Sequence, residues 1–317
     1  MLPDASAGFL VPAAMALIVL LLRAKAPVGL SVLAGGLLIW LIRSADIPLL
    51  LEAVCRTATA FKTWDLLGAL FAVMVIEAEL QKSDAVNGMV RALQGAFRST
   101  HFTLIAMPAF IGLLPSAGGA RFSAPIVESA SQGLGLSPES KAAINFWFRH
   151  VFENVRPIAP GLILACALAR VPLGETILHQ LWIPVLFTAA GWLVMLRPIK
   201  AAASKSSEEP LSRDLCLQAG LAILPIVASF ALMLFTRLSA SLAIGLVAAA
   251  MIPILRLCRR PAPLAEILRE ALDAKLFLSV IAILCFTELV SSTGVLRELA
   301  QAILSAPLPA PLLLGAT

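Results

Sequence analysis

The stretch 112-GLLPSAGGARFSAPIVESA-130 decides how this chain is read. It lies in a sequence that is 60 % hydrophobic, yet it carries two prolines, three glycines, three serines and an arginine where a membrane-spanning helix carries leucine or valine. In hydrocarbon, an unpaired backbone N–H or C=O costs on the order of several kcal/mol. A break survives there only when protein or a watery cavity satisfies the freed groups. The wider segment 100–130 is apolar but interrupted by Pro108, Pro115, Gly118, Gly119 and Pro125. It reads as a re-entrant hairpin, with one helix in, an unwound tip and one helix out on the same side. A plain kinked helix is the competing reading.

The composition places this break in a membrane protein. A mean hydropathy of +0.93 with only 14 % charged residues leaves too little polar side chain to cover a soluble fold. The net charge of +5 is not a nucleic-acid signal, because Lys and Arg fall between apolar runs and form no basic face. The five cysteines are far apart and show no CxxC or Cys/His metal spacing, so they read as small hydrophobes and no cofactor is expected. Asp4 precedes the first apolar run and Arg23 and Lys25 follow it, the reverse of a signal peptide.

Apolar runs of about spanning length lie at 8–22, 27–42, 66–80, 143–169, 177–197, 215–236, 238–255 and 275–290. Alternating these spans, with 100–130 returning to its own side, gathers fifteen of the 24 Lys and Arg on one face and six on the other. Arg121, Arg149 and Arg156 stay within membrane segments. The positive-inside rule then makes the rich face cytoplasmic. The expectation is a multi-pass protein of the inner membrane, with its N-terminus outside and the hairpin entering from the cytoplasm. A full crossing at 100–130 weakens the bias, which favours the hairpin over the kink.

The chain also resembles itself at an offset of about 209 residues. The run 72-AVMVIEAELQKSDAV-86 aligns with 281-IAILCFTELVSSTGV-295, placing Glu79 on Glu288 and Ser83 on Ser292. Upstream, 26-APVGLSVLAGGLLIWLI-42 resembles 237-RLSASLAIGLVAAAMIPIL-255. Five spans plus the hairpin, an odd number of crossings, invert the following unit. Inverted repeats are a signature of secondary transporters, whose sites lie where broken helices meet near the midplane. The expected fold is therefore an all-α polytopic inverted-repeat transporter. Its first repeat covers 1–198, its cytoplasmic linker 199–214 and its second repeat 215–317. By the offset, the second hairpin should begin where the sequence stops at Thr317, so the second repeat reads as truncated and the chain as a fragment.

Two places offer ligand chemistry. At the tip, 115-PSAGGA-120, Gly118 and Gly119 permit close ligand approach and Ser116 adds a hydroxyl. Arg121 and Ser123 begin the return arm. Freed carbonyls there suit Na⁺, and a half-helix N-terminus suits an anion. The second place is 145-NFWFRHVFENVRPIAPG-161, after a helix start at Ser137 and Pro138. Asn145, Arg149, Glu153 and Arg156 fall on one face of a continuous helix. Counted from Lys141, Arg156 then lies about 22 Å in. Arg149 and Glu153 are spaced to pair. Arg156 has no local acid and is the stronger candidate. Pro157 frees a carbonyl one turn back and makes this a second discontinuous helix. His150 reads as an interior hydrogen-bonded side chain. The segment 83–99 is amphipathic, with Val86, Met89, Val90, Leu93 and Phe97 on one stripe, and is expected to lie flat on the cytoplasmic surface.

The set LLPSAGGARFSAP, INFWFRHVFE and RPIAPGLIL resembles an uncharacterised integral-membrane family of the ion transporter superfamily, related to gluconate permeases and citrate or dicarboxylate symporters. The resemblance is best over 100–165. It implies a two-repeat carrier with cytoplasmic and periplasmic hairpins, elevator-like movement and a homodimer. By position it implies a hairpin tip at Ser116, Gly118 and Gly119, facing a broken helix near Asn154, Arg156, Pro157 and Ala159. A Na⁺ near Ser116, Gly118 and Asn154 would fit it. The chain departs from the pattern at Arg121, where an apolar residue is expected, and in the absent second hairpin.

These readings converge on a carrier of small organic anions coupled to Na⁺ or H⁺, with lipid as its surroundings. A non-transporting fragment or subunit of a split membrane complex is the alternative. An intramembrane enzyme is weaker still: there is no HExxH, no GxSxG and no paired intramembrane aspartate, and only Ser116 with His150 offers a nucleophile and base.

Overall fold

The computed structural model describes residues 7–96, 99–113, 119–199, 212–236, 238–260 and 263–305. Among them the chain is helical, with no β-strand. In chain order the helices are α1 (Ala7–Arg23), α2 (Val28–Arg43), α3 (Ile47–Thr59), α4 (Phe61–Lys82), α5 (Ala85–Ala96), α6 (Thr100–Leu113), α7 (Gly119–Ala130) and α8 (Pro138–Arg149). They continue with α9 (Pro160–Ala169), α10 (Leu173–Gln180), α11 (Trp182–Gly191), α12 (Arg213–Thr236), α13 (Ala240–Leu257), α14 (Leu264–Ala271), α15 (Ala274–Ser292) and α16 (Val295–Ser305).

Five stretches are long and apolar enough to cross a membrane: Pro138–Ala169, Leu173–Leu196, Arg213–Thr236, Ala240–Leu257 and Leu264–Ser292. A sixth forms if α3 and α4, which meet at a bend of 50°, make one span. This is a multi-pass helical membrane protein. The expected spans at 8–22 and 27–42 do form helices, but α1 and α2 have only 17 and 16 residues. At 1.5 Å per residue each is about 25 Å long, short of the ~30 Å hydrocarbon core. Large apolar side chains such as Phe9, Val194, Phe235 and Leu257 stand exposed on the helices, which suits lipid and not water.

The described residues form two compact units, one within 1–64 and 273–317, the other within 65–272. Each unit takes helices from both sides of the linker 199–214, most of which lies outside the described residues. In the first unit α2 packs on α1 and α15, and α15 also packs on α3. Gly29 sets the spacing of the α2–α15 contact: a Cβ there would lie 2.6 Å from the Ser279 Cα. Small residues let membrane helices approach closely enough for dispersion to hold them. Leu10, Ala14, Ile39, Val290 and Val295 make the core of this unit. Arg43 pairs with Glu298, and Arg56 reaches Glu288 at 3.5 Å and Glu52 at 2.5 Å.

In the second unit α5 packs on α12, with Gly88 against the Gln218 side chain. Val86 and Met89 of the α5 stripe are buried, at 6 % and 1 % exposure. The part of the stripe that carries Val86 and Met89, expected to lie flat on the cytoplasmic surface, thus faces protein, while the Leu93 and Phe97 side chains lie outside the described residues. Periodicity reports that a face is buried and cannot say by what. Lys82 at the end of α4 holds Glu266 and Glu270 of α14 at 3.0 and 2.7 Å, and Arg260 holds Asp214 at 2.8 Å.

The two self-similar runs have like local structure. Each ends a long apolar helix, α4 or α15, and leads through a tight turn into an amphipathic helix, α5 or α16. A left-handed residue makes each turn, Asp84 at φ 61° and Gly294 at φ 75°.

Candidate functional site

Helices α6, α7 and α8 pack against one another. Leu104, Val127, Ile144, Phe148, Val151 and Leu196 form the core behind them. α8 begins as the sequence predicts: Ser137 Oγ accepts from the Ser140 backbone N–H at 3.2 Å, and Pro138 occupies the first turn. Trp147 anchors the other end. Its indole N–H donates to the Phe187 carbonyl at 2.8 Å, and its ring stacks on Phe187 with centroids 4.9 Å apart.

The break in the second discontinuous helix is wider than Pro157 alone predicts. α8 ends at Arg149, a single 3₁₀ turn occupies Glu153–Val155, Arg156 and Ala159 are extended, and α9 restarts at Pro160. Two X-Pro steps explain the width, because Pro157 and Pro160 each push the residue before them out of the helical region. The single polar face expected from Asn145 to Arg156 is therefore not formed: Asn145 and Arg149 lie on α8, Glu153 and Arg156 in the break. The anticipated Arg149–Glu153 pair does not close among the described residues. Glu153 lies 3.6 Å from His150 Nε2 instead, and His150 Nδ1 meets the Phe146 carbonyl at 2.6 Å.

Arg156 ties the break after α8 to the end of α6. Its Nη1 donates to the carbonyl of Gly112 at 2.7 Å, one residue before α6 ends. Gly112 in turn lies against the carbonyl of Arg149, the last residue of α8, so closely that a Cβ at 112 would fall on that oxygen. The end of α6 thus meets the end of α8 and, through Arg156, the break that follows it. Three charged side chains act on Arg156: Glu153, Arg149 and Glu77. Glu153, three residues away, is the local acid that the sequence reading denied Arg156, and Glu77, on α4, was not anticipated because nothing in its position within an apolar run marks it.

The remaining sequence-chosen residues divide. Gly119 opens α7 and Ser123 is fully buried on it. Pro157 is buried and Asn154 exposed. Ser116 and Gly118 lie outside the described residues, as does the Arg121 side chain.

Beside this junction a cleft of about 360 Å³ runs between α7 and α8, lined among others by Glu128, Lys141, Asn145, Arg149 and His150. Lys141 Nζ and Glu128 Oε1 close one end at 2.7 Å. The Asn145 Oδ1 is buried and has no hydrogen-bond partner among the described residues. Glu128 and Lys141 were not candidates from sequence, although their i to i+13 separation across a turn left them free to meet. The arrangement offers a guanidinium, an ammonium and an amide to an anionic group, and backbone carbonyls to a cation.

No curated protein matches the chain. The family model described as "Protein of unknown function (DUF401)" matches residues 10–315, and the chain belongs to that family.

Proposed function

We propose that this protein is a cation-coupled secondary carrier of small organic anions, with gluconate- and carboxylate-like molecules as the substrate class. The observation that carries the reading is the bond from Arg156 in the break to Gly112 at the end of α6. A guanidinium within an apolar segment is costly unless it serves a partner or a path. Here it sits in the break between α8 and α9 and bonds to the end of α6, and broken helices are what carriers use to hold polar ligands in the membrane. The cleft with Arg149, Lys141 and Asn145 gives an anion a way to that point. The resemblance to the ion transporter superfamily, including gluconate permeases and citrate or dicarboxylate symporters, agrees with this chemistry. So do the self-similar runs and their like turns, which support an inverted repeat moving in an elevator-like way. The charge bias supports a cytoplasmic-membrane location with the N-terminus outside and a hairpin entering from the cytoplasm. A homodimer is the assembly the resemblance favours.

A binding test needs no knowledge of coupling. A ligand that binds only the folded protein at a hundred times its Kd adds about 2.7 kcal/mol of stability. Purified protein melted in detergent with gluconate, citrate and succinate should show a saturable rise in melting temperature with at least one of them. Glucose, uncharged and of similar size, should give none. Equal shifts with all four, or none with any, would sink the reading.

A further inference from the structure

Glu79 has no place in the site above and no ordinary structural role. It lies on α4 and is fully buried, at 0 % exposure. Neither carboxyl oxygen has a hydrogen-bond partner among the described residues. Ala72, Val73, Val75, Ile76, Ala78 and Leu80 of the same helix are all buried around it. Among the described residues, Lys82 of α4 is held by Glu266 and Glu270, and Arg260 by Asp214. Glu77 accepts a hydrogen bond from Gln81 at 3.0 Å, and no ion pair reaches Glu79 among the described residues. Its self-similar counterpart Glu288 differs, being partly exposed and paired with Arg56.

An ionised carboxylate loses its hydration on burial and needs a cation or several donors in return. Among the described residues Glu79 meets neither, so in this conformation the neutral acid is the form that fits its surroundings. A carboxylic acid kept neutral in a membrane helix is costly as structure and useful as a proton carrier. We propose that Glu79 is the proton-coupling site of the carrier, and that the driving ion is H⁺ and not Na⁺. The step is a reversible ionisation. The carboxylic O–H breaks when the site opens to water on one face, the proton passes to that water, and the carboxylate takes a proton from the other face before the apolar state re-forms. With the anion bound, occlusion is possible only for the neutral acid, while the empty site returns ionised and still hydrated, which ties net movement of the anion to protonation. This rests on the carrier reading above.

The test uses the full chain in liposomes, as wild type and as Glu79→Gln, which keeps the shape and imitates the protonated form. Infrared spectroscopy at neutral pH should find the carbonyl stretch of a neutral carboxylic acid in wild type and lose it in Glu79→Gln. Labelled gluconate, citrate and succinate are then supplied under an inward H⁺ gradient without Na⁺. Wild type should concentrate at least one of them, up to about tenfold per pH unit for one coupled proton. Glu79→Gln should still exchange that anion across the membrane but not concentrate it. Absence of the neutral-acid band overturns the proposal. So does undiminished H⁺-driven accumulation in the variant, or accumulation driven by Na⁺ alone; the carrier reading survives both of these. No transport of any anion by folded wild type sinks the carrier reading and the coupling proposal together.

Discussion

Gly112→Ala will lower the melting temperature and abolish anion-dependent stabilisation, while the same change at Gly220 will raise the melting temperature. Alanine is the better helix former by about 1 kcal/mol, so propensity alone predicts stabilisation at both sites. The surroundings decide otherwise. A Cβ at Gly220, on α12, meets nothing within 4 Å and keeps the full benefit. A Cβ at Gly112 falls on the Arg149 carbonyl, a backbone atom that cannot swing aside. The cost of such overpacking is about 1–3 kcal/mol, enough to outweigh the propensity gain. The only relief is to move the end of α6 away from the end of α8, which takes the Gly112 carbonyl from Arg156. Stability and ligand response should therefore fall together, in thermal melts with and without the stabilising anion. A Gly112→Ala protein as stable and responsive as wild type would mean that α6 and α8 do not meet at this point.

Arg156→Ala removes the donor to Gly112 and the charge in the break at once. Hydrogen bonds to charged groups contribute about 1.5–3 kcal/mol. If Arg156 also holds the substrate, the initial uptake rate at low concentration should fall about 10- to 100-fold. Arg156→Lys separates the two roles. It keeps the positive charge, but an ammonium lacks the planar fork that can serve a carbonyl and an anion together. It should recover part of the rate and not all. A purely structural arginine would behave differently: both variants would lose melting temperature in proportion, with anion affinity in the surviving folded protein unchanged.

The sequence made the membrane class and the main long helices legible because apolar length and proline placement are local signals. Ser137 and Pro138 marked the start of α8, and Pro157 with Pro160 marked the break after it. The meeting of Arg156 with Gly112 was not legible. A single glycine before Leu-Leu-Pro carries no sign that another helix end will press on it, and forty-four residues separate the partners. The continuous face from Asn145 to Arg156 failed for a related reason. Helical spacing assumes a helix, and the chain abandons it at Arg149, several residues before the first proline. α3 went unread because Glu52, Arg56, Thr57 and Thr59 interrupt its apolar pattern; the 50° bend at Ala60 then hid its continuity with α4. Val86 and Met89 of the α5 stripe were legible as an apolar face, but the packing of α5 on α12 was not. Glu79 and Glu288 looked equivalent by alignment, yet one is sealed and the other paired, a difference that only packing creates.

Arg156, where the end of α6 meets the break after α8, is proposed to hold an organic anion on its way across the membrane. The most direct measurement is the initial rate of uptake of labelled gluconate, citrate and succinate into proteoliposomes under imposed H⁺ and Na⁺ gradients, for wild type and Arg156→Ala side by side. Wild type should show gradient-driven uptake of at least one anion, lost in Arg156→Ala protein that is still folded. No uptake by folded wild type, or equal uptake by both proteins, would contradict this role.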